Sequence, residues 1–297
     1  MSRINTNISA LNALKSLNDV NARLSVSQLR LATGKRINSA ADDAAGFSIA
    51  KKFNARSQGL GQALSNIGSA KNLIAVAEGH LNNILDILTQ MKTKATQAAD
   101  DSLGSAERNA IKSELNQLAV QIDLEVAQAT WNSNPIFGGA NATSGSASSV
   151  QFKFQIGAGS SSTNDVLSFD LLANANVSFD GGNTNYKSSG LNVSIDATSV
   201  ASNASARALM SNLDTAIEDV SEALSYIGSV VNRLTYQESS LTAARTNTDA
   251  ARSRIEDADM AYEQLEATKL QILQQTASAM LAQANTSPQI IMQLFQG

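Results

Sequence analysis

The chain has 297 residues, a formal net charge of −4, no cysteine and a single histidine, His80. The lack of cysteine excludes disulfides and thiolate chemistry, and a lone histidine excludes most zinc sites and histidine-based acid–base schemes. The sequence contains only two prolines, Pro135 and Pro288, so long uninterrupted helices are possible almost everywhere.

The two ends of the chain differ in charge. Residues 1–60 contain nine Lys or Arg against three acids, and residues 250–297 contain three against five. Binding of nucleic acid by the basic end is disfavoured, because that end lacks aromatic stacking residues and a dense basic cluster. We therefore expect the two ends to be partners, within one molecule or between neighbours.

Membrane and secretion signals are absent from the sequence pattern. No stretch approaches the roughly 20 apolar residues that span a bilayer, so we expect no membrane insertion. The N-terminus has no apolar segment of signal-peptide length, so a secreted chain of this kind needs a dedicated export route.

The first helix is predicted to end at Gly34, the first glycine of the chain. Its apolar residues recur at helical spacings that indicate a coiled-coil-like seam rather than an ordinary amphipathic helix on a globular core. The seam comprises Ile4, Ile8, Leu11, Leu14, Leu17, Leu24 and Leu31.

Residues 33–53, TGKRINSAADDAAGFSIAKKF, indicate a loop between two helices. Asp42 or Asp43 is well placed to cap the second helix, because a short carboxylate accepts hydrogen bonds from the free N–H groups of a helix start. We interpret the stretch as a joint, because adjacent aspartates alone are no evidence for acid–base chemistry.

Helix is predicted from Asp43 to about Asp100, with apolar residues at intervals of seven. After a turn, Ser105 is predicted to cap a third helix that runs to about Trp131. Residues 140–204 are rich in Ser, Thr, Asn and Gly. Alternating apolar residues at 150–156, 177–179 and 191–195 predict strands there, and disorder is the alternative for the Ser-rich parts near 141–149 and 158–164.

Helix returns at about Ser205 and is predicted to continue with little interruption to about Asn285. A second seam, on the last helix, comprises Leu273, Ala277, Met280 and Ala284. Both terminal helices bury little apolar area, so we expect them to be poorly ordered in the free monomer and to fold on association.

The order of elements predicts a mainly α fold. We expect an elongated bundle of long coiled-coil helices with both termini at one end and a small β-rich insert at the other. The predicted segments are 1–42, 43–139, 140–204, 205–254 and 255–297.

At both ends the sequence resembles bacterial flagellin. RINSAADDAAGFSIAKKF and the opening MSRINTNISALNALKSL are similar to the N-terminal signature of that family. SRIEDADMAYE, ILQQTASAMLAQAN and SPQIIMQLF are similar to its C-terminal signature, in the same order. The similarity covers about the first 130 and the last 90 residues, and the insert shows none.

The resemblance implies a structural subunit that polymerises into the extracellular flagellar filament used for swimming, an open helical homopolymer. Residues 1–42 and 255–297 would form an inner core, 43–139 and 205–254 an outer tube, and 140–204 a variable outer region. The implied polymer interface comprises the two seams, with Leu294 and Phe295. The implied inner–outer joint comprises Gly34, Arg36, Asn38, Asp42 and Asp43, and Arg36 could pair with an acid of SRIEDAD or of a neighbour.

The resemblance also implies a set of partners. They are further copies of the chain, a type III export apparatus with an export chaperone, and hook-associated and cap proteins. It implies neither an enzyme nor a cofactor or metal.

The chain departs from the family where an animal innate-immune receptor recognises flagellins. The recognised pattern has Arg where this chain has Gln90 and Leu where it has Lys94, whereas Glu114 matches. Losing a bidentate donor and introducing a charge should each weaken binding by more than about 1 kcal/mol. We therefore expect poor recognition.

Three other functions fit the sequence less well. An enzyme is disfavoured because His80 has no second histidine with which to form a zinc motif. A hook–filament junction protein shares the terminal helices, but the DDAAG and LAQAN segments favour the main subunit. A flagellin-like surface adhesin would need a binding pocket in the insert, for which the sequence gives no sign.

Overall fold

A computed structural model describes residues 7–137, 152–161, 163–171, 186–196 and 198–296, with backbone alone for 287–296. Five helices and four short strands follow one another in these residues. They are α1 (Ile8–Thr33), α2 (Ala44–Ala98), α3 (Ser105–Gln128), β1 (Thr130–Trp131), β2 (Asn134–Pro135), β3 (Phe152–Gln155), β4 (Val166–Phe169), α4 (Asn203–Glu256) and α5 (Met260–Gln296). The mainly α fold with long helices and a small β-rich insert is confirmed.

The chain divides into two compact units. The first comprises Met1–Gln58 and Arg245–Gly297, and the second Gly59–Ala244. Helices α2 and α4 therefore each contribute residues to both units. Among the described residues, no helix is apolar over a stretch long enough to cross a membrane.

The core of the second unit is built from α2, α3 and α4. The predicted heptad of α2 (Ile67, Ile74, Leu81 and Leu88) is fully buried. One stripe of α3, including Leu115 and Ile122, and one of α4, from Leu209 to Leu234, pack into the same cluster. At about 25 cal/mol per Å² of apolar area, this burial is the main source of stability in the unit.

Ion pairs between helices complement this core, and α2 supplies the basic partner in each. Lys71 pairs with Glu238, Lys92 with Asp214 and Lys94 with Glu114. Exposed pairs of this kind are worth well under about 1 kcal/mol each. With the bases on α2 and the acids on α3 and α4, these pairs nevertheless disfavour arrangements of the three helices that separate the opposite charges.

The described residues contain two separate hairpins, β1–β2 directly after α3 and β3–β4 within the insert. In β3–β4, Phe152 lies opposite Phe169 and Gln155 opposite Val166, so the predicted strand within 150–156 is confirmed, while β4 was not predicted. Part of that strand and the predicted strand at 177–179 lie outside the described residues.

The prediction of a strand at 191–195 is wrong. Asn192 has a φ of 54°, and the Val193 N–H bonds to the Ser188 carbonyl, so this part of the chain is a turn. Leu191 and Val193 are buried. Their alternation reflects burial rather than a strand ladder.

Three predicted helix boundaries are also wrong. Ser105 is the first residue of α3, the cap position is Gly104, and no side chain caps that end. The helix stops at Gln128, before Trp131, because β1 and β2 form a tight hairpin immediately after it. The last predicted helix is two helices, and the second continues past Pro288 to Gln296.

His80 joins α2 to α3 through Glu125. Its Nδ1 lies 3.0 Å from Glu125 Oε2, and the side chains of Asn83 and Gln121 also donate to that carboxylate. Chiefly because of the hydrogen bond with His80, the pKa of Glu125 lies below its ordinary value of 4.5. His80 is thus a half-buried residue that packs between two helices and hydrogen-bonds across them.

Replacing Glu125 by Gln is expected to lower the free energy of unfolding at neutral pH. A carboxyl group with a lowered pKa contributes stability above its unfolded pKa, and that contribution is lost as pH falls through the folded pKa. The gap between variant and parent should therefore close below about pH 4.5, measured by urea unfolding over a pH series. Glu78→Gln, on the exposed side of α2, is the control, and an equal gap at all pH values would contradict this assignment.

Candidate functional site

Four helix ends meet in the first unit, at two short segments that we call the joint, residues 34–43 and 257–259. Gly34 ends α1 with a φ of 69°, and its N–H bonds to the Arg30 carbonyl at 2.9 Å. That left-handed conformation suits glycine, so the predicted helix stop at Gly34 is explained by its backbone.

The two adjacent aspartates have separate tasks. Asp42 Oδ2 accepts hydrogen bonds from the N–H groups of Asn38 and Ser39 at 3.0 and 2.8 Å, and from the Ser39 hydroxyl. These bonds, first among them the one from the Ser39 N–H, lower the pKa of Asp42. Asp43 Oδ1 accepts from the Gly46 N–H at 2.9 Å and thereby caps α2. Asp42 therefore folds the loop, and Asp43 starts the helix.

Backbone hydrogen bonds tie the two segments of the joint together. Lys35 and Asp257 form an isolated antiparallel bridge. The Arg36 N–H donates to the Glu256 carbonyl at 2.7 Å, and the Ala258 N–H donates to the Gly34 carbonyl at 3.0 Å. The end of α1 is thus fixed to the start of α5.

The side chains of the joint support the same connection. The Arg36 guanidinium donates to the Ile255 carbonyl at 3.0 Å, while Lys35 makes the ion pair with Glu256 at 2.6 Å. The expected partner segment of Arg36 is therefore found, but the acceptor is a carbonyl in the last turn of α4 instead of a carboxylate. Carbonyls at a helix end have no partner within the helix and are available for such a bond. Asn38 Nδ2 donates to the Lys35 carbonyl at 2.9 Å.

A buried contact closes the joint beneath the loop. Ile37 is buried, and a Cβ on Gly46 would lie 2.7 Å from Ile37 Cδ1 and 2.5 Å from Asp43 Oδ2. Both atoms are held, one by burial and the other by the carboxylate that caps α2. The start of α2 therefore has no room for a side chain at Gly46.

The pair α1–α5 extends from the joint as two antiparallel helices. Leu24, Ala267 and Leu270 are its buried apolar residues, with Val20 and Leu31 packed beside them. Hydrogen bonds mark the register: Asn21 Oδ1 accepts from Gln274 Nε2 at 2.8 Å, and Asn7 Nδ2 donates to the Ala284 carbonyl at 2.7 Å. The first and last helices of the chain thus lie side by side within this unit.

A buried polar cluster lies next to the joint. Glu263 is 5% exposed and accepts from the Ser27 hydroxyl at 2.9 Å and from Arg30 Nη1 at 3.1 Å. The Ser27 oxygen also lies 3.2 Å from the Glu263 carbonyl oxygen, so the two backbones approach closely here. Sequence reasoning missed this cluster. The sequence does contain one signal for it: Glu263 is an acid four residues before Ala267 and seven before Leu270, where the packed face of α5 would otherwise have an apolar residue.

Farther from the joint, the pair is open to solvent. A groove of about 420 Å³ runs between the two helices and is lined mainly by small and apolar side chains. The lining residues are Ser9, Asn12, Ala13, Ser16, Val20, Leu273, Thr276, Ala277 and Met280.

Both helices carry a second apolar stripe on the side away from their partner. On α1 this outward stripe consists of Ile8, Leu11, Val26 and Leu29, and all four side chains are exposed. On α5 it contains Tyr262, Leu265 and Ile272, each about 60% exposed. At 3.6 residues per turn, Leu265 and Ile272 lie nearly opposite Ala267 and Leu270, while Tyr262 lies at the edge between the two faces. Each helix therefore has one face used within the chain and one without a partner among the described residues.

The predicted seam residues are divided between these surfaces. Leu24 and Leu31 pack against α5, Ala277 lines the groove next to α1, and Leu17 and Ala284 are half-buried. Ile8, Leu11 and Leu14, and on α5 Leu273 and Met280, are exposed. Ile4 lies outside the described residues, as do the side chains of Leu294 and Phe295.

The expected receptor surface lies in the second unit. Gln90 is exposed, and Lys94 Nζ lies 2.7 Å from Glu114 Oε1. Glu114 is therefore engaged by a residue of its own chain.

Replacing Gly46 by Ala is expected to destabilise the protein, because the new methyl group must displace the Asp43 cap or Ile37. Loss of a cap alone costs about 1 kcal/mol. Gly68→Ala is the matched control, since a Cβ there meets nothing within 4 Å and should stabilise α2 by roughly 0.5–1 kcal/mol. Chemical unfolding would measure both, and equal effects would show that the joint does tolerate a side chain at position 46.

Comparisons with known proteins concern the whole chain. A family model for the bacterial flagellin N-terminal helical region matches residues 4–142, and one for the bacterial flagellin C-terminal helical region matches 210–295. A flagellin of Listeria monocytogenes is 34% identical over 98% of this chain and 99% of its own length. A flagellin of Bacillus subtilis is 34% identical over 99% of this chain and all of its own.

One solved structure shows a likeness of fold alone. A putative flagellar hook-associated protein from Vibrio parahaemolyticus superposes with a TM-score of 0.59 at 17% identity. The superposition includes all of that protein and 73% of this chain.

Proposed function

This chain belongs to the bacterial flagellin family, and from that premise we propose that copies of it bind one another through the outward stripes of α1 and α5. The chain is a subunit of the flagellar filament, a structural protein of the extracellular flagellum.

The two-faced character of the terminal helices carries the proposal. A helix in a two-helix pair needs one apolar stripe, whereas a helix packed on two sides needs two. Helix α5 exposes Leu265 and Ile272 although its other face is already packed on α1. Such exposed apolar residues at helical spacing mark an interaction surface.

An open filament requires contacts between different faces of successive copies. The outward stripes and the groove between α1 and α5 offer surfaces of this kind. In this arrangement residues 1–42 and 255–297 form the inner core, and 43–139 with 205–254 form an outer tube. Residues 140–204 lie outermost, and the joint, with Gly34, Arg36, Asn38, Asp42 and Asp43, connects core to tube.

The other partners are those that membership of the family implies. We propose that the chain leaves the cell through a type III export apparatus, and that an export chaperone covers the outward stripe of α5 before assembly. Hook-associated and cap proteins then meet the two ends of the filament. No catalytic step is required of the chain, because the family is a structural one.

Ile272→Glu is expected to abolish filament formation, because a charge replaces an apolar side chain whose burial is worth about 1.5–3 kcal/mol. The critical concentration should rise at least about tenfold. Purified protein would be polymerised with ammonium sulfate, which strengthens apolar burial, and observed by electron microscopy.

Gln271→Glu is the matched control, since it introduces the same charge one residue away, at an exposed position of α5 that belongs to neither stripe. A chain lacking residues 1–40 and 256–297 should form no filaments. Normal filaments from Ile272→Glu would refute the role of the outward stripe, and filaments from the truncated chain would refute polymerisation through the terminal helices.

We also propose that Gln90 and Lys94 weaken recognition by the innate-immune receptor, with Glu114 held by its ion pair to Lys94. The double variant Gln90→Arg, Lys94→Leu should then be at least about tenfold more potent in a receptor-reporter assay, since each change recovers more than about 1 kcal/mol. Gln97→Arg, which adds an arginine to an exposed position of α2, should leave potency unchanged. Full potency of the unmodified chain would contradict the proposal.

A further inference from the structure

Helix α5 has two candidate faces for α1, and the less apolar one is used. The packed face presents Ala267, Leu270, Gln274 and Ala277, whereas the outward stripe presents Tyr262, Leu265 and Ile272. Burial of apolar area increases with side-chain size. If area alone decided, α5 would turn its outward stripe towards α1, so another interaction must select the observed face.

The buried polar cluster is present on the observed face alone. Glu263 receives hydrogen bonds from both Ser27 and Arg30 of α1. Rotation of α5 by half a turn, which would direct Leu265 and Ile272 at α1, would carry Glu263 to the far side and leave the charge of Arg30 without its carboxylate. A buried ion pair adds little net stability, but an arrangement that separates its members is strongly penalised.

A small side chain on α1 also favours the observed face. The oxygen of Ser27 lies 3.2 Å from the Glu263 backbone carbonyl, an approach that a bulky residue at Ser27 would prevent. On α5 the packed face has Ala267 next to this contact, whereas the larger Leu265 would hold the helices farther apart.

The joint holds the start of α5 through backbone groups. The bridge between Lys35 and Asp257 fixes how far α5 is displaced along α1. The Ala258 N–H bonds to the Gly34 carbonyl, and Asp259 caps the first turn of α5. These contacts use the α5 backbone rather than the side chains of either face, and Glu263, in the first turn, is the first residue of α5 whose side chain hydrogen-bonds to α1.

We propose that Glu263, through Ser27 and Arg30, selects the face of α5 that packs on α1 and thereby keeps the more apolar stripe outside. The role belongs to a single chain and stands whether or not copies polymerise through that stripe. Polar residues with this positional effect are known from coiled coils, where they fix a register at a cost in stability.

Paired cysteines in the full chain can report the face, because the natural sequence has no cysteine. Asn21→Cys with Gln274→Cys reports the observed face, since the two native side chains are hydrogen-bonded. Asn21→Cys with Ile272→Cys reports the rotated one. Both reporters remove the Asn21–Gln274 hydrogen bond, and the Ile272 reporter also shortens one side chain of the outward stripe.

Each reporter would be oxidised in three backgrounds: unchanged, Glu263→Ala and Glu266→Ala. Glu266 is the matched control, an acid on the same helix whose ion pair is with Lys269 of α5 itself. Non-reducing gels separate disulfides within a chain from those between chains. The oxidation is carried out on dilute protein, which is monomeric, and on protein polymerised with ammonium sulfate.

In the unchanged and Glu266→Ala backgrounds, the Gln274 reporter should form its disulfide at least about tenfold faster than the Ile272 reporter. In the Glu263→Ala background, the rate of disulfide formation in the Ile272 reporter should increase until it is comparable with that of the Gln274 reporter. If the Gln274 reporter keeps its full advantage in Glu263→Ala, the proposal is overturned. If neither disulfide forms in Glu263→Ala and the helical circular dichroism signal also falls, the proposal is overturned as well. Glu263 would then be needed for α1 and α5 to pair at all, rather than for the choice of face.

Discussion

The backbone bridge between Lys35 and Asp257 is the constraint on which the first unit depends. It joins the end of α1 to the start of α5, while the same segments connect directly to α2 and α4. Because the bridge consists of main-chain hydrogen bonds, it requires no particular side chain at either residue. The adjoining helices begin and end at the right places for other reasons. The Asp43 side chain caps α2, and the left-handed backbone of Gly34 ends α1.

The terminal helices show how polar and apolar residues divide their tasks. Polar and small side chains share the α1–α5 contact with a few leucines, and other large apolar side chains remain outside. That distribution would be a defect in a protein that works alone, since exposed apolar stripes promote association. In a filament subunit it suits the proposed contacts between copies, and the proposed role of Glu263 keeps that surface available.

Periodicity predicted the helices and the joint because both depend on local chemistry. The heptads of α2 and the glycine at the end of α1 carry signals within a few residues, and the structure confirms both. The division of labour between Asp42 and Asp43 could not be read from their adjacency, because it depends on the path of the loop. The cluster of Ser27, Arg30 and Glu263 joins residues more than 230 positions apart, so no local pattern reveals it. The turn at 191–195 was mistaken for a strand because burial alone produced the alternation.

The small apolar contact of the α1–α5 pair has a calorimetric consequence. The heat-capacity increment of unfolding grows with the apolar area exposed, and the buried apolar residues of this pair are Leu24, Ala267 and Leu270, against a large cluster in the second unit. Opening the pair therefore changes heat capacity only slightly, and its stability varies gently with temperature. The second unit, with its large increment, is expected to have a more strongly curved stability profile.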